Sequence, residues 1–246
     1  MKTFTIKNKL GLDLHVKVQK KSKTDVFVVF HGMFGSNEGF YIKQTLEYLS
    51  EKKYSTISFD YTGHGKSQGK FENVSISQII NDKDLIMNYA KFHFKNIYLI
   101  GFSFGAHPLI HEASINNKIK AAVLFNPATN MIQLGFRNKT SSDLDKYTKK
   151  HRNVNLITKF KFLLDAIKYN MYKEAKKIRC PLYVYHIKND NSVPVEQSFK
   201  LKKHIISKNK FVHKLGSNHG LRKEIIDGTF KSKLLHDAFV WIEKNS

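Results

Sequence analysis

The chain has 246 residues, 41% of them hydrophobic and 13% aromatic, which is enough apolar material to bury a core and to exclude a disordered polymer. Forty-two Lys and Arg against 20 Asp and Glu give a formal charge of +22, a field that favours anionic partners. No zinc-finger spacing and no RNP-like segment accompanies it, so the charge reads as lysine dispersed over solvated faces, and no specific nucleic acid partner is expected.

A single cysteine, Cys180, excludes an intramolecular disulfide. The first residues alternate in polarity and lack the continuous apolar core of a secretory signal, so the expected compartment is the cytoplasm. The longest apolar runs are strand-sized, and no transmembrane segment is expected.

In chain order, segments 3–7 and 12–19 alternate apolar and polar residues on either side of Gly11, which predicts an antiparallel hairpin at a sheet edge. VFVVF at 26–30, STISFD at 55–60, NIYLIGF at 96–102, AAVLFN at 121–126 and PLYVYHI at 181–187 are short β-rich runs, read as apolar on both faces. Strands of that kind belong to a parallel sheet covered by helices on both faces, an α/β class of fold. Segments 77–93 and 221–243 carry apolar residues at helical spacing and predict packing helices. No repeat or linker divides the chain, so residues 1–246 read as one domain.

Residues 128–177 interrupt the alternation. They hold no convincing strand and place Leu156, Phe160, Leu163, Leu164, Ile167 and Met171 on one helical stripe, which predicts an inserted helical cap. Twelve Lys or Arg lie in this segment against four acids. As a roof over a pocket it would favour anionic or neutral substrates; the plainer reading is a basic outer surface over an apolar underside.

Gly101-Phe102-Ser103-Phe104-Gly105 follows a strand and precedes a segment able to be helical. A serine on so sharp a strand-to-helix turn is held at strained angles, and glycines two residues to either side relieve the crowding. A hydroxyl needs an imidazole to take its proton and a carboxylate to orient that imidazole. Asp190, in Lys188-Asn189-Asp190-Asn191-Ser192-Val193-Pro194, leaves the carboxyl end of one strand, and His219, in Gly216-Ser217-Asn218-His219-Gly220, follows the run FVHKL at 211–215. The order serine, acid, histidine and the placement at strand exits nominate Ser103, Asp190 and His219 as catalytic residues. Asp60 is the rival carboxylate, but it precedes the serine and reads better as a residue that pins its loop. The oxyanion of a tetrahedral intermediate would be met by the backbone N–H of Phe104 and by that of Met33, in the glycine-bearing loop His31-Gly32-Met33-Phe34-Gly35. His31 reads as packing beneath the site.

Phe59-Asp60-Tyr61-Thr62-Gly63-His64-Gly65-Lys66-Ser67, HGMFGS at 31–36 and GFSFG at 101–105 together resemble the α/β-hydrolase superfamily. Within it, Gly69-Lys70-Phe71-Glu72-Asn73, Asn96-Ile97-Tyr98-Leu99-Ile100-Gly101, the length and the cap's place are similar to the small bacterial cinnamoyl and feruloyl esterases. Where that family usually has His before and Gln after the serine and a further Gly past the elbow, this chain has Phe102, Phe104 and Ala106. The resemblance implies an α/β-hydrolase fold with a helical cap insertion, and hydrolysis of short to medium or aromatic acyl esters through an acyl-enzyme. It implies no metal and no cofactor. The expected partner is a small-molecule ester, and a homodimer is compatible with the sequence. Lipase, thioesterase or serine aminopeptidase activity on the same fold is the alternative, and a non-catalytic hydrolase-fold binding protein is the other.

Overall fold

The structure, a computed structural model, describes residues 1–135 and 156–246, without the side chains of 156 and 157. Strands β1 (Lys2–Lys7) and β2 (Asp13–Gln19) form the predicted hairpin. They lead to β3 (Asp25–Phe30), β4 (Ser55–Phe59), β5 (Asn96–Phe102), β6 (Ile119–Phe125), β7 (Leu182–Ile187) and β8 (Asn209–Lys214). Among the described residues these make one eight-stranded sheet in the order β1-β2-β4-β3-β5-β6-β7-β8. β1 pairs antiparallel with β2, and β2 with β4; every other pairing is parallel.

Successive side chains of a strand point to opposite faces, so a central strand feeds two cores; β4 does so with Ser55, Thr56 and Ser58 buried beside Ile57 and Phe59. In β3, Val28 enters one core and Phe27 and Val29 the other; in β5, Leu99 and Ile100 divide in the same way. Helices α1 (Phe40–Glu51) and α9 (His236–Glu243) close the second core with Ile42, Leu46, Leu49, Phe239 and Ile242. Helices α2 (Ile76–His93) and α3 (Ala106–Ile115) close the first with Ile79, Ile86, Leu109 and Ile110. Ser75 caps α2 by accepting the Gln78 N–H.

The chain between β6 and β7 holds α4 (Met131–Gly135), α5 (Leu156–Ala166) and α6 (Met171–Ala175), so the described parts of the expected cap are helical; its stretch 136–155 lies outside the described residues. The single apolar stripe expected there does not hold. The helix stops at Ala166, and Asn170 starts a new one by accepting the Lys173 N–H. Leu163 and Met171 are buried, whereas Phe160, Leu164 and Ile167 are exposed. Ala166, a residue outside the stripe, is buried, and Phe162, also outside it, packs against the core.

The expected helix over 221–243 is likewise three pieces: α8 (Arg222–Ile226), a π-helical turn Phe230–Leu235, and α9. Gly228 sits at φ +78°, and Asp227 accepts the Thr229 N–H and hydroxyl at 3.0 and 2.7 Å, a local arrangement that competes with continuing the helix. Between β7 and β8, α7 (Glu196–Lys202) completes the fold.

Candidate active site

β5 ends at Phe102, and the chain turns at once into a 3-10 turn, Ser103–Gly105, and then α3. Ser103 occupies the left-handed region at φ +49°, a conformation that costs a non-glycine residue about 1–3 kcal/mol. The glycines around it are required by crowding. A Cβ on Gly101 would lie 2.8 Å from the Gly105 carbonyl oxygen, and one on Gly105 would lie 2.5 Å from that of Phe30. The turn therefore closes directly against the end of β3, and this presses the serine out at the carboxyl edge of the sheet.

The same edge receives two other loops. Asp190 follows β7 and His219 follows β8, and the three side chains meet. His219 Nε2 is 2.7 Å from the Ser103 hydroxyl, and His219 Nδ1 is 2.6 Å from Asp190 Oδ2. A carboxylate can only accept, so Nδ1 carries the proton, and Nε2 is left to accept from the serine hydroxyl. Burial alone would raise the Asp190 pKa, but hydrogen bonds from His186 and His219, with the N–H of Val193, hold it well below the usual carboxylate range. Its other oxygen accepts the N–H groups of Ser192 and Val193 at 2.8 and 2.9 Å, which fixes the carboxylate's orientation.

Two residues not singled out from the sequence support this arrangement. His186 of β7, wholly buried, donates from Nε2 to the Val193 carbonyl at 3.1 Å and lies 3.5 Å from Asp190 Oδ2. Asn126, at φ +45°, donates to the His219 carbonyl at 2.7 Å and accepts the Ile187 N–H at 2.9 Å, so one side chain ties the histidine's loop to β7. Each depends on strand register, and only His186 had a local sign, a histidine four residues ahead of the acid.

The loop after β3 brings Gly32 against the serine: a Cβ on Gly32 would stand 3.3 Å from Ser103 Cβ. Met33 is the next residue. No turn or loop hydrogen bond among the described residues engages the N–H of Met33 or of Phe104. His31 is buried beneath, donating from Nδ1 to the Gly32 carbonyl at 2.8 Å, and burial lowers its pKa to about 4. Asp60 stands apart from the serine. Its oxygens accept the Asn37 and Lys66 N–H groups at 2.6 and 2.9 Å, joining two loops. Among the described residues no group of three or more His, Cys, Asp or Glu is arranged to hold a metal ion.

The family model described as serine aminopeptidase, S33, a hydrolase family, matches residues 21–141. Est1E of Butyrivibrio proteoclasticus, solved with ferulic acid bound, is similar in structure with a TM-score of 0.77 at 23% identity, over 95% of this chain and 98% of that one. The Pyrococcus furiosus esterase Pf2001 gives a TM-score of 0.76 at 20% identity, over 98% of this chain and 92% of that one.

The chain has the α/β-hydrolase fold.

A curated α/β hydrolase of Acanthamoeba polyphaga mimivirus is 22% identical over 211 residues, which is 81% of this chain and 70% of that protein. Within this α/β-hydrolase fold the serine turn and the two later loops occupy the sheet's carboxyl edge, where open α/β sheets gather their ligands. No helix among the described residues is long and apolar enough to cross a membrane.

Proposed function

We propose that this α/β hydrolase is a serine carboxylic-ester hydrolase acting through an acyl-enzyme. The observation that carries the reading is the unbroken chain of hydrogen bonds from Ser103 Oγ through His219 to Asp190, at 2.7 and 2.6 Å. Ser103 Oγ attacks the acyl carbonyl while Nε2 of His219 takes the hydroxyl proton. Asp190 stabilises the imidazolium so formed without taking the proton itself. The backbone N–H groups of Met33 and Phe104 are the proposed donors to the oxyanion. Collapse of the tetrahedral intermediate breaks the ester bond; the imidazolium returns its proton to the leaving alcohol, and water then cleaves the acyl-enzyme by the same steps. No metal or cofactor enters this sequence.

Short to medium or aromatic acyl esters are the proposed substrates. Phe104 packs against Phe162 of α5 with ring centroids 6.2 Å apart, and Met33 packs against the same core, which supports an apolar acyl group. We assign the protein to the cytoplasm on its single, buried cysteine, and read it as one domain with 128–177 as the insertion. Serine aminopeptidase action is the second reading, favoured by the family model's description; the twelve basic residues against four acids in 128–177 oppose it, because a free amino terminus needs a nearby acid.

A fluorophosphonate probe should label the wild type and fail on Ser103→Ala. Nitrophenyl and hydroxycinnamoyl esters of graded length should be turned over, and an aminoacyl nitroanilide should not. Asp190→Asn should cost roughly 10³–10⁴ in kcat, the loss expected when the imidazole is held in the wrong tautomer. Full labelling of Ser103→Ala would remove the reading.

A further inference from the structure

Helix α5 is apolar on its buried face and on an exposed strip beside it. Leu163 and Ala166 are buried on one, where Phe162 also packs. On the other, Phe160, Leu164 and Ile167 are 60%, 50% and 62% exposed; the Ile167 N–H still bonds the Leu163 carbonyl at 3.2 Å, so the helical turn runs through it. At 3.6 residues per turn the three exposed side chains share an arc of about 60°. Lys159 lies on one side of that arc and Lys161 on the other, roughly 90–110° from its centre, and both are exposed; Lys168, beyond the end of the helix, is paired with Asp165 at 3.1 Å. Single exposed apolar residues are ordinary, whereas an aromatic and two aliphatics in one stripe between lysines mark a contact surface.

We propose that this outward face of α5 seats on an anionic lipid surface, with Phe160, Leu164 and Ile167 entering the headgroup boundary and Lys159 and Lys161 meeting its phosphates. The arrangement is that of an interfacial helix, with an apolar wedge between cations that reach outward to the polar layer. Charge selects this occupant. A second copy related by a two-fold axis would set the same lysines face to face in two chains of +22 each, and a nucleic acid would use the lysines but leave the wedge in water. Anionic lipid satisfies both features.

The helix is also firmly held. Asp165 accepts the Ser77 hydroxyl and N–H at 2.6 and 2.8 Å at the start of α2, and Tyr169 donates to the Ser77 hydroxyl oxygen at 3.0 Å. Its inner face reaches the residue after Ser103 through Phe162 and Phe104. A docked surface would therefore lie on the helix whose buried side touches the residue after the proposed nucleophile.

Co-sedimentation of the full chain with vesicles of phosphatidylcholine, with and without phosphatidylglycerol, tests the inference. The wild type should pellet with the mixed vesicles and scarcely with the neutral ones. Phe160→Ser combined with Leu164→Ser and Ile167→Ser should weaken binding about tenfold or more at an unchanged melting temperature. Lys159→Gln with Lys161→Gln keeps the wedge and should weaken binding to the anionic vesicles about tenfold or more, so the inference stays open to refutation even where the first variant fails to fold. Ser103→Ala should bind like the wild type, which separates this inference from the catalytic one. A wild type that stays in the supernatant, serine variants that pellet undiminished, or a wild-type dimer that those serine variants dissolve would overturn it.

Discussion

Two buried histidines contribute to how this protein responds to acid. His107 of α3 is 1% exposed with neither ring nitrogen bonded, and burial takes its pKa down to about 3; His31 falls to about 4. Both rings hold protons more weakly when folded than at the ordinary value of 6.5, so the unfolded chain takes up protons first. Their contribution is therefore complete above about pH 6.5 and is lost as pH falls towards 4, with His31 alone accounting for roughly 3 kcal/mol at 1.4 kcal/mol per unit. Thermal melts should show a lower Tm at pH 5 than at pH 7. His107→Leu should raise Tm at neutral pH and flatten that slope, because an apolar side chain beside Phe104 suits the surroundings better than two unsatisfied nitrogens. An unchanged slope in this variant would remove His107 from the account.

Between elements, a buried ion pair joins α2 to α3. The Lys83 side chain is wholly buried, its Nζ 2.8 Å from Glu112 Oε2 and also bonded to Asp84, while Lys91 reaches the other Glu112 oxygen at 3.0 Å. Removing Lys83 leaves the buried Glu112 carboxylate with Lys91 as its one remaining cation, and breaking one side of a buried pair costs up to about 3–5 kcal/mol, whereas replacing both with apolar residues of similar volume is often close to neutral. Urea titration should therefore find Lys83→Met far less stable than Lys83→Met combined with Glu112→Leu. The opposite order would show that the pair adds little to helix packing. α3 also carries the serine turn at its start, so a loosened α2–α3 contact should reduce fluorophosphonate labelling as well.

Across the whole molecule, the parallel strands, the edge hairpin and the convergence of Ser103, Asp190 and His219 were legible in the sequence, because continuous apolar runs and strand-exit loops are local patterns with non-local meaning. His186, Asn126 and the Lys83–Glu112 pair were not, since each depends on which strands and helices become neighbours. The wide apolar surface of α5 misled the pattern reading, because a buried strip and an exposed one beside it share many of the same spacings. Sheet order carries one further consequence. β5 bears Ser103 at the centre, while β7 and β8, which deliver Asp190 and His219, are the last two strands on one flank. Parallel pairings of this kind form slowly, each needing a long crossover to close first. A newly synthesised polypeptide should thus hold a formed but unreactive hydroxyl until its final third docks. Brief fluorophosphonate pulses during refolding should capture nothing while helical signal is already rising, and the delay would spare the growing chain from acylating itself on stray metabolites.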